Sequence, residues 1–91
     1  MIRSEVAVTN RLGLHSRAAN RFVRLASLFE SEISVANAAG FTVNGKSILG
    51  LLALAAAQGT LLRLAADGHD AQNAVDALSN LVHTGFGEDA G

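Results

Sequence analysis

Residues 2 to 9 alternate, with Ile2, Ser4, Val6 and Val8 on one side and Arg3, Glu5, Ala7 and Thr9 on the other. A period of two marks a half-buried β-strand. From Ser16 the period lengthens. Ala19, Phe22, Val23, Ala26 and Phe29 line one face, with Arg17, Asn20, Arg21 and Arg24 opposite, which predicts an amphipathic helix ending near Glu30. Ile33 with Val35, then Phe41 with Val43, mark two short strands joined by the turn sequence "NAAG". A second turn, "NGKS", places Ser47 to cap a helix beginning at Ile48, and Gly59 should close that helical region. Leu62, Leu64 and Ala66 alternate with Leu61, Arg63 and Ala65 in a fourth strand. After "DGHD", Asp70 should cap a last helix whose buried face is Ala71, Ala74, Val75, Leu78, Leu81 and Val82. Gly85 should stop it and leave residues 86–91 as a loose tail.

The resulting order is β-α-β-β-α-β-α in one domain spanning residues 1–91. Such an order suggests an α+β fold, a mostly antiparallel four-stranded sheet covered by helices on one face. Pattern alone leaves the strand order open.

The second helix breaks the usual rule. Between Ser47 and Gln58 the side chains are Ile48, Leu49, Leu51, Leu52, Leu54 and alanines, with no charged residue to mark a solvent side. A helix apolar all round wants burial on all sides. A 91-residue chain has too little interior for that. Parts of Ile48, Leu49 and Leu52 should therefore be exposed and form an interaction surface; a helix wedged in the core or a dimer contact is the plainer alternative.

At 49% hydrophobic and 16% charged residues, the chain is too apolar for disorder. It has no cysteine, which excludes disulfides and thiolate metal sites and fits a reducing cytoplasm. No basic segment followed by an apolar one opens the chain as a secretory signal would. The longest apolar run, Ile48 to Ala57, is half the roughly 20 residues a membrane span needs, so no membrane insertion is expected. The net charge of −1 hides an asymmetry: residues 1–24 hold five arginines against Glu5, and the rest holds Lys46 and Arg63 against seven acids. The basic end contains His15 and suits an anionic ligand or an acidic partner.

His15 precedes a helix whose first amides lack intrahelical partners. Those amides, with the positive end of the helix dipole, make an anion site. They also favour an uncharged imidazole with a free ring nitrogen, and a neutral imidazole can attack phosphorus. The phosphoramidate oxygens would then lie near the amides and Arg17, whose planar fork suits phosphate. Nucleophile, oxyanion donors and counter-charge fall within three residues, a spacing that fits phosphoryl transfer. A capping or loop histidine beside a solvated arginine is the plainer alternative.

Three motifs, "GLHSRAA", "GKSILGLLALAAAQG" and "GHDAQNAVDAL", follow one another along the chain. In this order they resemble HPr, the histidine-containing phosphocarrier family of the bacterial phosphotransferase system, from the first strand to the last helix. The resemblance implies an open-faced β-sandwich with three helices on one face of a four-stranded antiparallel sheet. It implies that His15 accepts a phosphoryl group from phospho-enzyme I on Nδ1, with Ser16 beside it and Arg17 as cationic partner. Delivery would be to an enzyme IIA-type acceptor. Partners would dock on Asn20, Arg21, Arg24, Ile48, Leu49 and Leu52. Ser47 matches a regulatory serine phosphorylated by an HPr kinase; a plain N-cap is the equal alternative. Such a protein is a phosphoryl carrier rather than an enzyme, monomeric, cytoplasmic and without cofactor, the donor enzyme bringing the metal. The chain departs from the family pattern in having Ala18 where many members have proline, and Ser16, a possible extra cap, where threonine or alanine is common.

A regulatory member of a nitrogen-type or dihydroxyacetone-kinase branch, controlled through Ser47, is the alternative function. Metal binding would have to use His15, His69 and His83, which lie in three segments without ligand spacing. Nucleic-acid binding would rest on Arg17, Arg21 and Arg24 without Trp or Tyr and against a negative net charge, so none is expected.

Overall fold

A computed structural model describes residues 1–88. Its elements are β1 (Ile2–Ala7), α1 (Ser16–Ala26), β2 (Glu32–Ala36), β3 (Thr42–Asn44), α2 (Ile48–Leu54), β4 (Leu61–Asp67) and α3 (Ala71–His83), followed by a 3-10 turn at Gly85–Gly87. The strands form one sheet in the order β1-β4-β2-β3, antiparallel at every pairing. The last strand in sequence thus enters between the first two. Its Leu62 faces Val6 of β1, and its Leu64 faces Val35 of β2. The alternation read from β1 and β4 sets this register, because a slip by one residue would turn every buried side chain to solvent.

Val6, Ile33, Val35, Leu62, Leu64 and Ala66 are buried on the inner face, under Phe22 of α1, Leu51 of α2 and Leu78 of α3. Each large side chain buried there contributes on the order of 1.5–3 kcal/mol. The outer face stays open and polar: Arg3, Glu5 and Arg63 are exposed, and Arg63 Nε donates to Glu5 Oε2 at 3.0 Å. An exposed pair of this kind contributes about 0–1 kcal/mol. The open-faced sandwich expected from the sequence is therefore the fold observed.

Four details differ from the pattern. α1 stops at Ala26 rather than near Glu30. The Leu28 and Phe29 amides bond back only three residues, to Leu25 and Ala26, so the last turn tightens and leaves the helix. α2 stops at Leu54, well short of Gly59, because Ala55 takes a left-handed conformation (φ 50°, ψ 40°). Asp70 makes no capping bond to α3. Its carboxylate reaches back to the α1–β2 connection and accepts from the Glu30 amide at 2.8 Å, the Ser31 amide at 3.0 Å and the Ser31 hydroxyl.

The fourth difference concerns the expected loose tail. Phe86 is 1% exposed. Gly85, Phe86 and Gly87 all have positive φ (70°, 58° and 74°), which folds the chain back onto the start of α1. A left-handed Phe costs about 1–2 kcal/mol, and burying its ring returns roughly 1.5–3 kcal/mol, so the turn is favourable. Residues 89–91, the rest of that expected tail, lie outside the described residues.

Candidate functional site

His15 is the N-cap of α1, with extended backbone (φ −82°, ψ −178°). Its carbonyl accepts the Ala19 amide at 2.8 Å and so opens the helix. Its ring replaces the usual Ser or Asp oxygen: Nδ1 accepts from the Arg17 amide at 3.3 Å. An amide can only donate, so Nδ1 presents its lone pair and the ring proton lies on Nε2. Ser16, read as an extra cap, is instead the first helical residue and is exposed. The imidazole keeps 25% of its surface in water, enough for attack by an incoming group.

The loop before His15 is held from below. Leu14 donates its amide to the Ala56 carbonyl at 2.8 Å. Gly13, at φ 67°, lies so close that a Cβ there would collide with that same oxygen. The segment after α2 is also tied to the end of β1, through Gly59 amide to Val8 carbonyl at 2.8 Å and Gln58 Nε2 to Thr9 carbonyl at 3.0 Å. These contacts explain why α2 stops early, since the alanines leave the helix to brace the histidine loop.

A carboxylate that the pattern did not single out completes the site. Glu88 Oε2 lies 2.5 Å from His15 Nε2, and its Oε1 accepts from Asn10 Nδ2 at 2.7 Å. The same Asn10 nitrogen donates to the Gly13 carbonyl at 2.8 Å, so two acceptors set the orientation of this buried amide. Its oxygen has no partner among the described residues. Burial works against the Glu88 charge. The hydrogen bonds from Asn10 and His15 and the charge of Arg17 outweigh it and hold the carboxyl below its ordinary range. One signal in the sequence pointed here: a phenylalanine between two glycines is an odd occupant for a solvated tail.

Arg17 is exposed, and its guanidinium makes no hydrogen bond among the described residues. Asn20 and Arg24 are also exposed on α1. Arg21, expected to face a partner, is exposed yet donates from Nη1 to the Phe86 carbonyl at 2.5 Å, pinning the C-terminal turn. On α2, Leu49 is 81% and Ile48 38% exposed, while Leu52 is half-buried. The two helices pack against each other. Ser47 is half-buried, and its hydroxyl accepts the Gly50 amide at 3.0 Å, the cap bond expected of it. Among the described residues no three His, Asp or Glu side chains converge as a metal site would need, and no helix is long and apolar enough to cross a membrane.

An open-faced sandwich that presents a histidine nitrogen at a helix amino end, beside a guanidinium, belongs to the class of histidine phosphocarriers. Residues 2–84 match the family model described as PTS HPr component phosphorylation site. The chain belongs to the HPr family of the phosphotransferase system and is a phosphocarrier. It is 47% identical over 88 residues to phosphocarrier protein HPr of Neisseria meningitidis, covering 97% of this chain and 98% of that one. To phosphocarrier protein NPr of Proteus mirabilis it is 36% identical over 84 residues, covering 92% and 93%. HPr from Thermoanaerobacter tengcongensis superposes with a TM-score of 0.91 at 39% identity, covering 98% of this chain and 99% of that chain.

Proposed function

We propose that His15 carries the phosphoryl group on Nδ1, receiving it from phospho-enzyme I and delivering it to an enzyme IIA-type acceptor. The observation that carries this reading is the orientation of the ring. Its lone-pair nitrogen points at the amino end of α1, where the Arg17 amide holds it by a long 3.3 Å bond. A bond that long is easily surrendered. Once phosphorus bonds to Nδ1, the amide can turn to a phosphoryl oxygen, and the unengaged Arg17 guanidinium can close on another. Little has to move for the group to arrive or leave.

In this reading the protein is a substrate of its partners rather than an enzyme, loaded and unloaded once per cycle in the cytoplasm. The exposed Leu49 and Ile48 supply an apolar centre for docking, and Asn20, Arg21 and Arg24 supply a polar and basic rim for acidic partners. Greater identity to an HPr than to an NPr favours the sugar branch over a nitrogen-type one. A phosphate on Ser47 would place roughly −1.5 to −2 charges beside Ile48 and repel an acidic partner. Phosphorylation there must give up the cap bond to Gly50, so an HPr kinase would act on a partly committed hydroxyl. Transfer rates unchanged by Ser47→Asp would remove the switch and leave only the cap.

Incubation with enzyme I, Mg²⁺ and phosphoenolpyruvate should label the protein with one acid-labile phosphate. His15→Ala should abolish the label, and labelling that survives it overturns the assignment.

A further inference from the structure

We infer that Glu88 is a positioning residue for the transfer: it holds the His15 ring with Nδ1 toward the amino end of α1 and neutralises the charge the ring acquires when Nδ1 is phosphorylated. The inference rests on His15 being the acceptor. It starts from the disposition of the two ring nitrogens. Nδ1 faces a donor, the Arg17 amide, and Nε2 faces an acceptor, the Glu88 carboxylate 2.5 Å away. A ring flipped by 180° would set carbon-bound hydrogens, Cε1–H and Cδ2–H, against the carboxylate and the amide, and the other tautomer would set a lone pair against the carboxylate and an N–H against the amide. Both contacts therefore favour one orientation and one tautomer.

The carboxylate is itself held from two directions. Asn10 Nδ2 donates to Oε1 at 2.7 Å and is anchored in turn on the Gly13 carbonyl. The buried Phe86 ring and the Arg21 bond to the Phe86 carbonyl fix the chain two residues before Glu88. The Glu88 side chain is only 12% exposed, so its charge acts on the ring with little screening. Every one of these contacts reaches Glu88 or its neighbours from elements already in place before any partner arrives.

The step balances as follows. The Nδ1 lone pair attacks phosphorus of a phosphohistidine donor, and the new N–P bond forms as the donor's N–P bond breaks. The electron pair of the broken bond stays on the donor nitrogen. The His15 Nε2 proton does not leave, so the phosphorylated ring bears one positive charge, directly opposite Glu88. On delivery, the N–P pair returns to Nδ1 and the ring is again neutral with its proton on Nε2. No proton is exchanged with solvent, and one carboxylate serves both directions. A neutral imidazole is also a better leaving group than the anion that loss of the Nε2 proton would create.

Two substitutions separate orientation from charge. Glu88→Gln retains an oxygen that can accept from Nε2, and Glu88→Ala removes it. Nitrogen-15 NMR of the ring in the unphosphorylated proteins should show a protonated Nε2 and a bare Nδ1 in the wild type and in Glu88→Gln. Glu88→Ala should lose the low-field proton of a charge-assisted bond and show averaged ring signals. Phosphoryl acceptance from phospho-enzyme I should fall roughly ten- to a hundredfold in Glu88→Ala, the range expected from losing a hydrogen bond to a charged group. Glu88→Gln should fall between the two. Unchanged folding by circular dichroism is expected, since Phe86 stays in place. If Glu88→Ala keeps the wild-type ring signals or the wild-type acceptance rate, the role assigned to Glu88 is wrong, while label on His15 leaves the carrier reading standing. Label elsewhere than His15 would instead remove both.

Discussion

The Leu14 amide donates to the Ala56 carbonyl at 2.8 Å, so the residue preceding His15 hangs from the segment that leaves α2. The helix that presents an apolar docking face and the loop that presents the histidine are thereby one mechanical unit. A partner pressing on Leu49 presses on the support of the nucleophile. Several consequences can be measured.

Gly13→Ala should damage this unit. Gly13 has φ 67°, and its added Cβ would run into the Ala56 carbonyl oxygen. Left-handed backbone alone costs about 1–2 kcal/mol for a residue with a Cβ, and the collision adds to it. Urea denaturation should show a loss of roughly 2 kcal/mol or more. Phosphoryl acceptance should fall as well, because the loop must shift.

Ala55→Gly should do the reverse. Ala55 sits at φ 50° just past α2, exposed and left-handed. Glycine removes the strain of about 1–2 kcal/mol and returns about 0.4–1 kcal/mol of that to unfolded-chain entropy. A net gain of roughly 0.5–1 kcal/mol is expected, read as a midpoint several degrees higher in thermal melts. Acceptance rates should not change.

Acid should loosen the α1–β2 connection through Asp70. The Ser31 hydroxyl, then the Glu30 amide, draw its pKa down from 3.8 to about 2, with the Ser31 amide and His69 helping against burial. The folded value lies below the unfolded one, so this contribution is complete above about pH 4 and disappears as pH falls toward 2. Asp70→Asn should lower stability at pH 7 and flatten its pH dependence in that window. Parallel wild-type and mutant curves between pH 4 and 2 would contradict this.

Leu49→Glu tests the docking face. The side chain is 81% exposed and supports nothing beneath it, so stability should stay within about 0.5 kcal/mol. Association with an acidic partner should weaken by at least about tenfold, from lost apolar contact and added repulsion. Titration calorimetry against enzyme I gives the comparison directly. Equal affinity would move the interface elsewhere.

Much of this molecule was legible along the chain because its information is periodic or local. Alternation in β1 and β4, the arginine-flanked face of α1 and the Ser47 cap each depend on residues within a turn or two. His15 and Arg17 share one helix end, so their placement side by side was readable from their spacing. The bare apolar surface of α2 also followed from the sequence, because a small domain lacks the interior to hide it.

What the chain could not announce lies between segments far apart in sequence. The insertion of β4 between β1 and β2 depends on which edges are free once the helices have packed. The alanines after Leu54 favour helix by propensity, and tertiary bonds to Leu14, Val8 and Thr9 draw the segment out of it. Asp70 looked like a cap for the helix that follows it and instead serves a loop forty residues earlier, where two amides and a hydroxyl compete better for its oxygens. Glu88 meets His15 across seventy-three residues. Local preference names the groups, but burial of Phe86 and the folding of a left-handed turn decide that these two side chains meet.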